Sequence, residues 1–366
     1  MNMKPEVPIE KLKARAFTLP TDKPEADGTL AWDSTTVVVV EVAAANNVGT
    51  GYTYTDASIT RLITGKLAET VVNLDAMQPH AAWQAMQRAV RNLGREGLVA
   101  TAISAIDCAL YDLKARLLHL PLASMLGACR DTVPIYGSGG FTSYTDDELR
   151  SQLEGWVARE GCAFVKMKIG TDPKDDPRRV AVAKKAIGAA TLFVDANGAY
   201  TAKQALALAA RFADQEVGWF EEPVSSDDLA GLCFVRDRAP AGMDVAAGEY
   251  GYSLDYFRRM LAGPAIDVMQ ADITRCGGLT AFLQIAGLCE AHHIDLSGHC
   301  APSMHVQAAC AAPRLRHLEW FHDHVRIEQM LFDGAPIAKG GVLRIDNSRP
   351  GNGLTFKHQD AMRYAA

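Results

Sequence analysis

Between Val133 and Trp320 a single pattern repeats. Short apolar runs recur, each ending in a polar residue and followed by a segment of helical character: VPIYGS, AFVKMKI, TLFVDAN, WFEEP, DVAAGE, DVMQAD, IDLSGH and RHLEW. Strand–helix alternation at this pitch predicts parallel strands joined by right-handed crossovers. Eight such strands close on themselves as an α/β barrel.

The remainder of the chain reads differently. KLKARAFTL (11–19) alternates in places like a half-buried strand, and STTVVVVEV (34–42) is a strong β-branched run. Asn46, Asn47 and Gly49 then form a turn into GTGYTYT, which predicts a small antiparallel meander. From Asp56 to about Leu118 the pattern is helical, and Ile103, Ile106, Leu110, Leu113 and Leu117 share one helical face. The predicted organisation is an α+β unit over residues 1–130, a barrel over 131–330, and a segment 331–366 that returns to the first unit.

The polar residues that end the runs carry the chemistry. The second run contains Lys166 and Lys168, and the following runs end in Asp195, Glu221, Glu249, Asp272, His299 and Glu319. From Lys168 onward the spacings are 27, 26, 28, 23, 27 and 20 residues, each about one strand–helix unit. Groups at the C-terminal ends of barrel strands converge on one mouth, where barrels of this type place their active sites. One acidic residue after a strand is ordinarily a helix cap or a solvated loop residue. Titratable groups on seven consecutive strand ends point instead to a site.

Strand side chains alternate, so Lys166 and Lys168 point inward and Val165, Met167 and Ile169 pack beneath the helices. Asp195, Glu221 and Glu249 supply three carboxylates from adjacent strands, a set that suits a hard divalent cation, Mg²⁺ first and Mn²⁺ second. The ion and the neighbouring Lys166 both disfavour an ammonium, so Lys168 is expected to have a depressed pKa and to serve as a general base. Asp272 can orient the His299 imidazole. Glu319, if protonated, can donate to a developing oxyanion. Together these groups suit abstraction of a proton α to a carboxylate, with a metal holding the enediolate.

The strand ends carry KMK (166–168), DAN (195–197), WFEEP (219–223), AAGE (246–249), ADITRCGG (271–278), SGH (297–299) and HLEW (317–320). In these motifs the chain resembles the enolase superfamily, mandelate racemase subgroup, over nearly its whole length. The resemblance implies an α+β capping domain over a (β/α)7β barrel, with Lys168 as a base and Lys166 at the substrate carboxylate. It further implies metal ligation by Asp195, Glu221 and Glu249, an Asp272–His299 dyad, an electrophilic Glu319, and Asn197 beside substrate or metal. A homo-oligomer, octamer or dimer, is expected. Specificity in that family is read by two capping-domain loops, here 20–33 and the stretch Tyr52–Thr55, which places Trp32 and Tyr54 against substrate. PTDKPEADGTLAWD (20–33) has few apolar anchors and is expected to be a lid that orders on ligand. It holds no arginine, which disfavours diacid sugars.

The expected reaction is dehydration of an acid sugar to a 2-keto-3-deoxy acid. A racemase, epimerase or cycloisomerase using the same two-sided Lys168/His299 site is the alternative, and a non-catalytic carboxylate-binding barrel is a second. The partner is a small-molecule carboxylate. A net charge of −6, with no basic run, speaks against a nucleic-acid surface. No apolar stretch of about 18 residues is present to span a bilayer. None of the eight cysteines forms a CxxC pair, and most lie in alanine-rich surroundings. With an N-terminus lacking a long apolar signal-peptide core, this predicts buried free thiols and a cytoplasmic protein.

Other features are weaker. His322 and His324 in FHDH resemble a metal pair but are expected to be ordinary loop histidines. GTGYTY and GSGGF lack the strand–GxGxxG–helix context of a dinucleotide site. Ser138, in GSGG, is expected at the mouth in reach of ligand. Asp107 and Asp112 are expected to be structural.

Overall fold

The computed structural model describes residues 6–366. Three strands, β1 (Lys11–Ala26), β2 (Ala31–Ala44) and β3 (Asn47–Tyr54), form an antiparallel sheet in the order β1-β2-β3. The turn between β2 and β3 places Ala45 and Asn46 at positive φ, as a tight hairpin requires. The valine run of β2 is buried on both faces. Val38, Val40 and Val42 pack with the capping helices, whereas Val37 and Val39 join the core shared with the barrel. A strand sandwiched this way has no polar face, which explains the unbroken run.

The helix Leu98–Leu117 lies across this sheet and is buried on nearly all sides. Gly49 and Gly51 of β3 allow the contact: a Cβ on either would strike the helix backbone at Ala109, Leu113 or Ala105. The glycines of GTGYTY are therefore packing residues.

Eight parallel strands follow: β4 (Thr132–Gly139), β5 (Phe164–Lys168), β6 (Thr191–Asp195), β7 (Val217–Glu221), β8 (Asp244–Ala247), β9 (Val268–Ala271), β10 (Asp295–Gly298) and β11 (Leu315–Phe321). They pair in sequence order, and β11 pairs with β4 to close the barrel. Every run read from the sequence forms one of these strands. GSGG ends β4, where a Cβ on Gly137 would meet the Trp156 ring at 2.5 Å. That motif too serves close packing.

The inward positions change character along the strands. Tyr136, Phe193, Trp219, Ala246 and Val268 fill the lower barrel as one cluster, with partly buried Phe164 against it. Two residues further on in β5, β6 and β7 stand Lys166, Asp195 and Glu221. Register puts Lys168, Asp195 and Glu221 level, since Lys168 pairs with Asp195 and Asp195 with Glu221, and sets Lys166 one layer below, opposite Phe193. An aromatic plug beneath a charged layer is thus set by period-two patterning.

The chain end returns to the start. Residues Val342–Arg344 pair antiparallel with β4, Phe17 bridges Ala365, and Ala366 N donates to Ala16 O. Buried carboxyls fasten the capping helix Leu98–Leu117 to the barrel and to the returning C-terminal segment. Asp107 accepts from Thr280 N and Oγ1, both at 2.8 Å, and Asp112 accepts from Thr50 N and Asn352 N. No helix among the described residues is long and apolar enough to cross a membrane.

The stretch 20–33 departs from expectation. It is the end of the β1–β2 hairpin, with a bulge between Pro20 and Glu25 and pairing resumed at Glu25–Trp32. Barrel loops hold it: Thr142 N donates to Ala26 O, Thr142 and Thr171 hydroxyls donate to Asp27 O, and Ser143 Oγ donates to Pro24 O. Its order comes from backbone partners distant in sequence, so it needs few apolar anchors of its own.

Candidate active site

Lys166, Lys168, Asp195, Glu221, Glu249, Asp272, His299 and Glu319 are all buried at the C-terminal end of the barrel. Lys166 Nζ lies 2.6 Å from Glu221 Oε1, 2.8 Å from Glu319 Oε1 and 3.4 Å from Asp195 Oδ2. Lys168 Nζ lies 2.5 Å from Asp195 Oδ2 and donates to Asn197 Oδ1 at 3.1 Å. Glu221 Oε2 accepts from Trp219 Nε1 at 2.9 Å.

Opposite them, His299 Nδ1 donates to Asp272 Oδ2 at 2.9 Å, and its Nε2 lies 2.5 Å from Glu249 Oε2. Thr274 holds the other Asp272 oxygen through its N and Oγ1, each at 2.7 Å. Asn197 Nδ2 donates to Glu249 Oε1 at 3.3 Å. Several residues that follow strand ends here, Asn197, Glu222, Cys300 and Ala301, adopt positive φ without being glycine. Backbone strain of this kind concentrates at functional sites.

The electrostatics follow from packing many acids together. Burial, reinforced by the Asp195 charge, pushes the Glu221 carboxyl up to about 8. Burial and Glu249 raise Glu222 as well. Against the effect of burial, His299 holds Glu249 and Asp272 well below the usual carboxylate range. His299 itself is raised: burial opposes its charge, but the Cys300 sulfur and the Glu249 and Glu319 carboxylates outweigh it.

Three expectations change. The chain's own charges do not depress the Lys168 ammonium; burial disfavours it, but Asp195 more than compensates and raises its pKa. Glu319 is not a protonated donor. Against burial, Lys166 holds it low, and it accepts from Ser138 Oγ at 2.6 Å and from Cys300 N at 2.9 Å. Ser138 is fully buried behind Glu319, so it serves that carboxylate rather than ligand. Asp195, Glu221 and Glu249 stand at neighbouring strand ends, each with one oxygen toward a cation: Lys168, Lys166 and His299 respectively. Among the described residues, the groups whose potential ligand atoms cluster within 4.8 Å are His299, Cys300 and Glu319, and Asp22, Glu25 and His322.

The three carboxylates nonetheless fit a hard divalent ion in donor type and in charge. Six carboxyls (Asp195, Glu221, Glu222, Glu249, Asp272, Glu319) face four cationic groups (Lys166, Lys168, Arg275, His299). With all ionised, two negative charges remain.

A cavity of about 420 Å³ opens above this layer. Lys168, Asn197, Glu249, His299, Cys300 and Glu319 form its floor, and the capping domain supplies Asp27, Leu30, Trp32, Ser34, Thr35, Thr36, Tyr54, Thr55 and Asp56. Trp32 stands edge-on to Phe141 at 5.7 Å, and its Nε1 donates to Glu25 Oε2 at 2.9 Å. Tyr54 stacks on His324 at 3.5 Å. His324 and His322 are therefore not a metal pair. Burial pushes His324 down to about 3, which keeps it neutral against the tyrosine.

Sequence reasoning did not assign Arg275, Tyr250 or His324 to this wall, nor Thr35 and Thr36. Arg275 carried a signal, since it lies in ADITRCGG three residues after Asp272. The threonines carried none, because they begin an ordinary strand.

A closed eight-stranded barrel with this mouth, beneath an α+β cap, defines an enzyme of the enolase superfamily. Residues 148–361 match the family described as enolase C-terminal domain-like, and residues 16–127 match the mandelate racemase / muconate lactonizing enzyme N-terminal domain. The chain belongs to this mandelate racemase-like family. It is 51% identical, with a TM-score of 0.96, to a mandelate racemase/muconate lactonizing enzyme-like protein from Rubrobacter xylanophilus, covering 98% of this chain and 100% of that one. A racemase from Streptomyces coelicolor with bound magnesium is 27% identical, with a TM-score of 0.92, over 98% of this chain and 100% of that one. Among characterised relatives, the 3,6-anhydro-alpha-L-galactonate cycloisomerase of Streptomyces coelicolor is 28% identical over 98% of this chain and 99% of its own length. The L-talarate/galactarate dehydratase of Salmonella typhimurium is 30% identical over 81% of this chain and 77% of its own.

Proposed function

We propose that this enzyme removes the proton α to a substrate carboxylate and dehydrates an acid sugar to a 2-keto-3-deoxy acid, with Mg²⁺ as its metal. One observation carries the reading: Lys168 and His299 border one cavity whose capping wall includes the polar residues Asp27, Ser34, Thr35, Thr36, Thr55 and Asp56. A base, an acid and a polar wall suit a polyhydroxylated acid. The dehydratase relative and the magnesium in the Streptomyces racemase support it.

Asp195, Glu221 and Glu249 would hold the ion, and Mn²⁺ suits the same oxygen donors. Bound there, it supplies positive charge against the substrate carboxylate and the charge that develops as the α proton leaves. Lys166, fixed between Glu221 and Glu319, adds an ammonium near the same carboxylate. Lys168 or His299 takes the C2 proton, and the C–H electron pair passes into the carboxylate as an enediolate. His299 Nε2 then gives a proton to the 3-hydroxyl, the C3–O bond breaks, water leaves, and the enol tautomerises to the 2-keto acid. Asp272 fixes the imidazole so that Nε2 faces the cavity. Ser138 and Cys300 N hold Glu319, which in turn holds Lys166.

The second reading is a racemase, epimerase or cycloisomerase. It is favoured by the same two-sided site and by the full-length likeness to the cycloisomerase. Arg275 on the cavity wall gives a distal carboxylate a cation to meet. That returns aldaric acids to the candidate substrates, although 20–33 has no arginine. The test is incubation with Mg²⁺ and a panel of aldonic and aldaric acids. Semicarbazide detects 2-keto product, whereas polarimetry and deuterium wash-in detect inversion. A panel yielding neither product nor exchange would overturn both readings.

A further inference from the structure

A second cluster of metal-ligating side chains lies outside the catalytic mouth. Glu25 of β1 is fully buried. Its Oε2 accepts the Trp32 indole, but Oε1 has no hydrogen-bond partner. Leaving such an oxygen buried and unpaired is costly. Three residues earlier, Asp22 Oδ2 lies 3.0 Å from Nε2 of His322, which begins the helix after β11. Potential ligand atoms of Asp22, Glu25 and His322 all lie within 4.8 Å of one another. The nearest arginine does not satisfy Glu25, because Arg326 Nη2 is committed to Asp323 at 2.5 Å and to Pro20 O at 2.7 Å. An Asp22–His322 ion pair alone explains two of these side chains and leaves the buried Glu25 oxygen without a purpose.

We propose that Asp22, Glu25 and His322 form a second divalent-metal site, of zinc type, that clamps the capping hairpin to the barrel. The donor set selects the ion. One imidazole nitrogen and two carboxylates suit Zn²⁺, whereas Mg²⁺ prefers all-oxygen surroundings and retains its waters. Two carboxylates and a neutral imidazole balance the ion's charge. An open cleft lined by Asp22, Lys23, Tyr144, Trp156, His322 and Arg326 gives an entry path and room for solvent to complete the coordination. Asp22 and Glu25 come from the hairpin and His322 from the barrel, so the ion joins elements roughly 300 residues apart in sequence. Glu25 also holds Trp32, which borders the catalytic cavity. The clamp therefore fixes one wall of the substrate site without contributing to the chemistry.

The test is zinc retention by the full-length protein. Chelator-treated protein is saturated with Mg²⁺, dialysed against limiting Zn²⁺ and measured by elemental mass spectrometry. The wild type should retain about one zinc equivalent per chain more than Asp22→Asn or His322→Ala. Any zinc taken by His299, Cys300 and Glu319 is common to all three proteins and cancels. Zn²⁺ should also raise the melting temperature of the wild type by more than that of His322→Ala. Both substituted side chains are partly exposed, and circular dichroism checks that the variants fold. Equal zinc content and equal thermal shifts in the three proteins, or no zinc retained by the wild type, would overturn the proposal.

Discussion

Glu328 shows how a buried acid should tie stability to pH. It sits in the helix His322–Leu331 and is 1% exposed. Its oxygens accept from Tyr52 Oη at 2.6 Å, Ser303 N at 3.0 Å and Ser303 Oγ at 2.5 Å. It thereby joins the capping sheet to two barrel helices. Burial outweighs these bonds and pushes the carboxyl up from 4.5 to about 7. The folded state therefore holds the proton more tightly than the unfolded state. Stability is complete below pH 4.5, falls as pH rises toward about 7, and levels off above that. A difference of about 2.5 pH units corresponds to about 3 kcal/mol. Glu328→Gln keeps the volume and cannot titrate. It loses an acceptor for one donor, a penalty of about 1–3 kcal/mol that does not vary with pH. Urea unfolding of both proteins from pH 4.5 to 8 isolates the effect, since every other titrating group is common to both. The advantage of wild type over Glu328→Gln should shrink by about 3 kcal/mol across that range. A constant difference would mean that the Tyr52 and Ser303 bonds keep the carboxylate ionised and that the reasoning from burial is wrong.

Lys168→Ala and His299→Asn should each lower turnover by about 10²- to 10⁴-fold with unchanged circular dichroism. Wash-in of deuterium at the α carbon, followed by NMR, should differ between them, because each leaves the opposite face intact. Chelation should abolish turnover and Mg²⁺ restore it, and Glu221→Gln should weaken Mg²⁺ binding measured by calorimetry. An inert acid-sugar analogue should bind at least about tenfold more tightly with Mg²⁺ present, and Mg²⁺ should gain by the same factor with analogue present, as linkage demands. Trp32→Ala should raise KM and also reduce stability by about 2–3 kcal/mol in urea unfolding, since it removes an aromatic contact and strands the Glu25 carboxyl. Trp32→Phe should recover only the packing part.

The barrel was legible because parallel strands buried on both sides leave short apolar runs, and the inward period-two positions switch to charge at the mouth. Lys166 and Lys168 in an apolar strand have no place in a core except at such a switch. The capping hairpin was less legible. Pro, Asp, Gly and Lys in 20–33 read as a loop, whereas its order rests on Asp27 O and Ala26 O bonding to Thr142 and Thr171. Backbone contacts with partners over a hundred residues away leave no mark on local composition. The same holds for Ser138. Its position near the end of β4 suggested reach to ligand, but an inward serine one layer below the mouth meets Glu319 first.

The Lys168 result shows what the chain's own charges do. Two ammonium groups in one strand would depress each other if they were alone. Here Lys166 lies among Glu221, Glu319 and Asp195, and Lys168 against Asp195, so the carboxylates dominate and both lysines hold their protons more tightly. His299 is raised in the same way by Glu249 and Glu319. The chain's own carboxylates thus favour the protonated form of both proposed bases. An ionised acid substrate adds negative charge and makes the imbalance worse. On the proposed reading, a divalent ion bound by Asp195, Glu221 and Glu249 offsets that charge. Ligation of Asp195, Glu221 and Glu249 draws on the carboxylates that now hold Lys166, Lys168 and His299. On the proposed reading, metal binding is thus what lowers the proton affinity of the two bases, and the depressed lysine expected from the sequence belongs to the loaded site.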